Sequence, residues 1–335
     1  MKRLLKSKTF LLTVCIFTLV CSFIGVGNVL LAKVGSSGVE TTNATILSET
    51  THIVPIAMAA DDNYTYPTLV AITSLMENSK KDTHYDIYIM TPGEFAEENS
   101  KKLLNLQDKY DNRCKITLID MKNRYKDAYD KGHITTPTYY RLSLSSLLPD
   151  LNKIIWLDGD TLIFEDLTDM LNLNMDGLYY RGFLDVNVHG TRAFGVVDDH
   201  YICAGVMLIN LEKLRQDNME TKFDAFIKEN NDKLEQHDQT VINVLCHENI
   251  GILPAKYGIF NLIDAESAQQ YARGLIAQNR YTEEEMIAAF EQPVILHCIW
   301  KPWWTNGGER NQELWLSYAE KTGYIDEIKA KYGLK

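Results

Sequence analysis

The chain has 335 residues, with 34 Lys and Arg against 45 Asp and Glu, a formal charge of -11. That acidity argues against a nucleic-acid partner, because phosphate binding draws on clustered positive charge. With 45% apolar and 24% charged residues the chain is neither wholly disordered nor collagen-like, and it can bury one large core or two modest ones.

Lys2, Arg3, Lys6, Lys8 and Lys33 fall in the first 33 positions, with no acid among them. Between Lys8 and Lys33 lie 24 uncharged residues, Thr9 to Ala32. At about 1.5 Å per residue they can cross roughly 30 Å of hydrocarbon. A cleaved signal peptide is the rival reading, but its apolar region usually runs only about 7 to 15 residues. The expectation is a basic cytoplasmic tail over 1–8, a transmembrane signal anchor over 9–32 and a Ser-, Thr- and Gly-rich stem over 33–51. The positive-inside rule then predicts a single-pass type II membrane protein. Its catalytic part would lie in a secretory lumen in a eukaryote, or at the cytoplasmic face of the inner membrane in a bacterium. Downstream, Cys114, Cys203, Cys246 and Cys298 leave disulfides and buried thiols equally open.

A single catalytic domain with a helical tail is expected over 52–335. His52 to Ala59 (HIVPIAMA) reads as a strand, and Tyr66 to Ser79 carries Leu69, Ile72, Leu75 and Met76 at helical spacing. Tyr85 to Met90 is again strand-like, Glu94 to Tyr110 helical, and Lys115 to Ile119 a third strand. A helix over Thr138 to Leu148 leads into Lys153 to Leu157 (KIIWL). This alternation predicts an α/β fold whose mostly parallel central sheet is flanked by helices. In such sheets ligands bind beyond the carboxyl ends of the strands.

Two acidic clusters fall there: Asp61-Asp62 after the first strand, and Asp158-Gly159-Asp160 after KIIWL. Two carboxylates separated by one Gly at a strand end can face a hard divalent cation and leave it open to phosphate oxygens. A turn that merely caps the following segment is the plainer alternative. His297 ends the apolar run PVILH, and Lys301 follows four residues later. A neutral His could complete the shell of a cation and the Lys could meet a diphosphate, although such a His alone is more often structural. Trp300, Trp303, Trp304 and Trp315 read as core and lid packing rather than a sugar-stacking platform.

The succession AADDNY (Ala59 to Tyr64), TYYRL (Thr138 to Leu142), IIWLDGDTLIFEDL (Ile154 to Leu167), AGVMLINLEKLR (Ala204 to Arg215), HDQTVIN (His237 to Asn243) and His297 to Trp303 resembles glycosyltransferase family 8. That family includes glycogenin and bacterial lipopolysaccharide galactosyl- and glucosyltransferases. The resemblance implies a GT-A fold, a UDP-sugar donor, a manganese (or magnesium) cofactor and a retaining hexosyl transfer. The donor would be UDP-glucose or UDP-galactose, the acceptor a glycan, lipid or protein hydroxyl, and a homodimer is left open. It further implies that Ala60, Asp61, Asn63 and Tyr64 contact uridine and ribose, and that Asp158, Asp160 and His297 ligate the metal, with Gly159 between them at the nucleotide. Lys301 would meet the diphosphate, Arg141 the phosphate side of the donor, Asp185 the sugar hydroxyls, and Asp238 with Gln239 the sugar near its reacting carbon.

Two departures from the family pattern stand out. Cys203-Ala204-Gly205 replaces the usual Asn-Ala-Gly, and only four positions separate His297 from Lys301 where six are usual. They motivate one alternative, a catalytically weak UDP-sugar-binding or lectin-like protein. A metal-dependent phosphohydrolase acting on nucleotides is another.

Overall fold

The computed structural model describes residues 52–111, 113–129, 135–185, 191–196, 201–261, 265–277, 280–304 and 311–335. The tail, anchor and stem expected over 1–8, 9–32 and 33–51 lie outside them. The expected type II membrane placement is corrected on this point: among the described residues no helix is long and apolar enough to cross a membrane.

The unit Thr51–Lys335 opens with β1 (His52–Ala59), α1 (Thr65–Asn78), β2 (Thr83–Thr91), α2 (Glu97–Lys109) and β3 (Cys114–Asp120). A 3-10 segment, Thr136–Ser143, runs into the one-turn α3 (Leu144–Leu147) and then β4 (Lys153–Leu157), β5 (Thr161–Ile163), α4 (Thr168–Leu171) and β6 (Tyr180–Leu184). Next come β7 (Ile202–Asn210), α5 (Leu211–Gln216), α6 (Met219–Asn230), α7 (His237–Leu245), β8 (Ile250–Ile252) and β9 (Ile259–Phe260). The remaining elements are α8 (Ala265–Ala277), α9 (Glu283–Glu291), β10 (Ile295–His297), α10 (Gln312–Thr322) and α11 (Ile325–Tyr332).

Seven strands form the main sheet in the order β3-β2-β1-β4-β7-β6-β8. β1, β2, β3 and β4 pair in parallel, and the apolar runs of β1 and β4 at the centre are those expected of strands covered on both faces. Successive residues of β4 serve the two faces: Ile155 and Leu157 pack into one buried cluster, Ile154 and Trp156 into the other. β7 runs antiparallel to both β4 and β6, so the sheet is mostly but not wholly parallel.

A second, three-stranded sheet has the order β5-β10-β9. β5 begins one residue past Asp160, and β10 pairs antiparallel with it so that His297 sits opposite Thr161. This pairing brings the end of β10 against the end of β4.

The predicted helix over Thr138 to Leu148 differs from the structure. Pro137 lies near the start of the 3-10 segment, and Tyr139 through Ser143 are all buried. The tighter winding places Arg141 inward. Cys114, Cys203, Cys246 and Cys298 are buried free thiols. α8 and α9 follow β9, and Thr282 caps α9 by accepting from the Glu285 amide at 3.0 Å.

Candidate active site

The first edge of the site is the turn between β1 and α1. Asp61 Oδ1 accepts from the amides of Asn63 and Tyr64, each at 2.9 Å, closing the loop on itself ahead of α1. Asp62 turns the other way: its Oδ1 accepts from Ala96 N at 3.1 Å and Asn99 Nδ2 at 2.7 Å, at the start of α2. Ala60 is buried, Asp61 and Tyr64 are half-buried and Asn63 is exposed. Burial pushes the Tyr64 hydroxyl up to about 12, helped by Asp160 and opposed by Lys301.

The second edge follows β4. Asp158 donates its amide to Gly205 O on β7 at 2.8 Å, and its Oδ1 accepts from Trp156 Nε1 at 2.7 Å and Arg141 Nη2 at 3.0 Å. Its Oδ2 lies 3.9 Å from His297 Nε2. Asp160 is buried, with Oδ1 3.2 Å from His297 Nε2 and Oδ2 in contact with Lys301 Nζ. The Cys298 amide donates to Asp160 O at 2.7 Å, a consequence of the β5–β10 pairing.

Ligand atoms of Asp158, Asp160 and His297 lie within 4.8 Å of one another. Neighbouring donors around an octahedral cation at about 2.2 Å are roughly 3 Å apart, so side-chain adjustments of under an ångström would close the set. Two carboxylates and one imidazole suit manganese or magnesium. Gly205 leaves room for this cluster, since a Cβ there would fall 2.2 Å from His297 Cε1 and 2.9 Å from Asp158 Oδ2.

The charges are balanced locally. Burial disfavours ionised Asp160, but Lys301 and His297 outweigh it and hold the carboxyl below the usual range. Burial likewise opposes charge on His297, yet Asp160 lifts it to about 10. Lys301 is raised above its ordinary value by Asp160 and Tyr64 against the pull of burial. A cation takes the neutral imidazole, so binding would release that proton.

Arg141 is held inside the site by its neighbours. It is 4% exposed, sits over the Trp156 ring with Cζ 4.3 Å from the centroid, and spends its donors on Asp158, Thr138 O at 2.9 Å and Ala204 O. Its Nε lies 2.9 Å from Asp238 Oδ2. It therefore ties the Asp158 carboxylate to Asp238. Asp238, at the start of α7, also accepts from Thr138 Oγ1. Burial pushes its carboxyl up to about 6 despite Arg141 and Thr138.

Gln239 is braced against β7: its Oε1 accepts from Ala204 N at 2.9 Å, and its Nε2 donates to Tyr201 Oη at 3.0 Å and Asp185 Oδ2 at 3.4 Å. Asp185 is thus brought beside Gln239. Asn243, one turn on, exchanges two 2.8 Å bonds with the Ile202 backbone and fixes α7 to the strand.

The departures also have a place. Cys203 Sγ lies 3.8 Å from His297 Nδ1, on the ring edge away from the carboxylates. The short loop after His297 is braced by Asn261, which bonds both the amide and the carbonyl of Trp300, and it delivers Lys301 to Asp160. Trp303 and Trp315 are buried as predicted, whereas Trp304 is 40% exposed. Residues that sequence reasoning passed over are Trp156, Thr138, Tyr201, Asn243 and Asn261. Trp156 and Asn243 sit inside motifs already singled out, one two residues before Asp158 and one four after Gln239.

A mostly parallel sheet with helices on both faces, carrying at the end of its fourth strand an acidic pair that with His297 could hold a cation, defines an α/β fold of the nucleotide-binding kind. The sequence profile of Glycosyl transferase family 8 matches residues 55–307. General stress protein A of Bacillus subtilis is 26% identical over 81% of this chain and 94% of its own length. Lipopolysaccharide 1,2-glucosyltransferase of Escherichia coli is 24% identical over 75% of this chain and 74% of its own. Among solved structures, the galactosyltransferase LgtC in complex with donor and acceptor sugar analogs superposes with a TM-score of 0.66 at 23% identity, over 80% of this chain and 96% of that one. The chain belongs to glycosyl transferase family 8, has the GT-A-like fold, and is an enzyme of the hexosyltransferase kind. The family implies a nucleotide-sugar donor and a glycan acceptor.

Proposed function

We propose that the protein transfers glucose or galactose from a UDP-sugar to a hydroxyl acceptor with retention of configuration, through a single catalytic domain over 52–335. The relatives named for glucosyl and galactosyl transfer support this choice of donors. The observation that carries the reading is the convergence of Asp158, Asp160 and His297 from three strand ends, with Lys301 beside them. Manganese or magnesium held by those three ligands would supply Lewis-acid stabilisation of the departing diphosphate.

Ala60, Asp61, Asn63 and Tyr64 would hold uridine and ribose, with the closed turn at Asp61 presenting the loop in one conformation. Lys301 would move from Asp160 toward the diphosphate and share its charge between them. Arg141 is a positioning residue in this scheme, because it orients Asp158 through a hydrogen bond and holds Asp238 from its other edge.

Asp185 and Gln239 would face the sugar. The carbonyl oxygen of Gln239 uses one lone pair on Ala204 N, and its second can face the positive charge that develops at the anomeric carbon. Attack by the acceptor from the face of departure is the favoured course. Asp238, a conceivable carboxylate nucleophile, is buried and engaged by Arg141 and Thr138.

The test is UDP release from a panel of UDP-sugars by the purified protein, with manganese and then with EDTA. Metal-dependent release with one sugar, lost in Asp158→Asn and Asp160→Asn, is the expected result. Tight UDP binding without turnover of any donor would overturn the transferase reading of this site in favour of a binding protein.

A further inference from the structure

The turn between β1 and α1 is held from a direction that the family motifs do not include. Lys331 Nζ donates to Asp62 O at 2.7 Å, and Tyr332 Oη donates to Asn63 O at 3.0 Å. Both donors lie on the last turn of α11, some 269 residues from their acceptors. Two consecutive carbonyls of the proposed uridine loop are thus fixed by one short helix.

That helix is itself anchored. Tyr332 packs edge-on to Trp315, with ring centroids 6.5 Å apart, and lies 6.0 Å from Trp303. Trp303 in turn meets Tyr64 edge-on at 6.1 Å, two residues beyond Lys301. Earlier on α11, Glu327 accepts from Tyr66 Oη at 2.7 Å and pairs with Lys102 of α2 at 3.2 Å. Lys331 Nζ also stands 5.3 Å over the Tyr66 ring. On the opposite side Asp62 is bonded to the start of α2.

We infer that α11 is a clamp that presets the β1–α1 turn for the nucleotide, with Lys331 and Tyr332 as positioning residues for donor binding. The inference rests on the proposed assignment of that turn to uridine and ribose. A carbonyl that accepts a bond from a fixed side chain cannot rotate away, so the loop surrenders less freedom when ligand arrives. Lys331 and Tyr332 touch neither the metal ligands nor the sugar-side residues in any contact described above. They should act on nucleotide affinity and leave cation binding alone.

The test is calorimetric titration of UDP onto the full-length protein in manganese, for wild type, Tyr332→Phe, Lys331→Met, the double variant, Lys331→Arg and Asp61→Ala. Manganese binding without nucleotide is followed in parallel by the loss of the free-ion electron paramagnetic resonance signal. One hydrogen bond removed from a preorganised loop should weaken UDP about fivefold in Tyr332→Phe, about threefold in Lys331→Met and tenfold or more in the double variant. Lys331→Arg should bind as wild type, and manganese affinity should be unchanged throughout. If Asp61→Ala weakens UDP while every α11 variant binds normally, the clamp is wrong and the uridine assignment stands. If Asp61→Ala binds normally as well, the uridine assignment fails and the clamp falls with it. Equal loss of UDP and manganese binding in the α11 variants would make the helix a general structural support and overturn the inference.

Discussion

Asp160 lies buried between His297 and Lys301, two partners that sit well over a hundred residues further along the chain. Asp61 stands half-exposed a strand away, and its carboxylate closes a turn with amides only two and three residues on. Both are acids at the carboxyl end of a parallel strand, but their environments differ in kind. In the first, desolvation makes each partner costly to remove, since a buried charge left alone is far less stable than the pair. In the second, water and local backbone bonds share the work, and loss of a partner is compensated cheaply. The proposed cation end should therefore fail sharply when altered, and the proposed nucleoside end gradually.

The largest effect should come from Asp160→Asn. It weakens the cation set and strips Lys301 of its counter-charge, and a roughly thousandfold fall in kcat for UDP release is expected in steady-state assays with manganese. A fall below tenfold would erase the contrast.

Arg141→Met should come next. It leaves the buried Asp238 without its cation and frees the half-buried Asp158, and urea unfolding should register a loss of about 3 kcal/mol. Gly205→Ala tests crowding without changing charge. Because its new Cβ meets His297 and Asp158, manganese should bind roughly thirtyfold more weakly by paramagnetic resonance.

The Asp238 carboxyl gives a pH signature. Its pKa is raised from the usual range to about 6 in the folded protein, so the native state keeps a proton that the unfolded chain gives up at lower pH. Its contribution is full below about pH 4 and is lost as pH rises through 6. The stability gap between wild type and Asp238→Asn should accordingly shift by about 2 kcal/mol in favour of the variant between pH 4 and pH 6.5, read from paired urea titrations. The smallest effect belongs to the nucleoside end. Asp62→Ala removes two exposed bonds to α2, and a loss of about 1 kcal/mol by thermal unfolding is expected, with manganese binding intact.

The same contrast governs what the sequence could convey. His52–Ala59 and Lys153–Leu157 were legible to the residue, because strands covered on both faces are apolar throughout and end where polarity returns. Asp158, Asp160 and Asp61 were legible as candidates because strand ends in such sheets face ligands. The 3-10 course of Thr136–Ser143 was not, since burial on every side leaves no helical period to find. Nor was the turn of Arg141 onto Asp158 and Asp238, or the reach of Tyr332 to Asn63. Those are choices among long side chains made only after distant elements dock, and no local pattern encodes them.

The pairing of β5 with β10 has a temporal side. Asp158 and Asp160 emerge from the ribosome early, but the strand that carries the proposed third ligand follows much later, and 141 positions separate Asp160 from Lys301. Until β10 zips onto β5 with His297 opposite Thr161, the acidic pair has neither its imidazole nor its ammonium partner. A one-residue slip in that ladder would exchange His297 for Leu296 or Cys298 at the cluster. The register of three paired residues thus decides which side chain reaches the acidic pair.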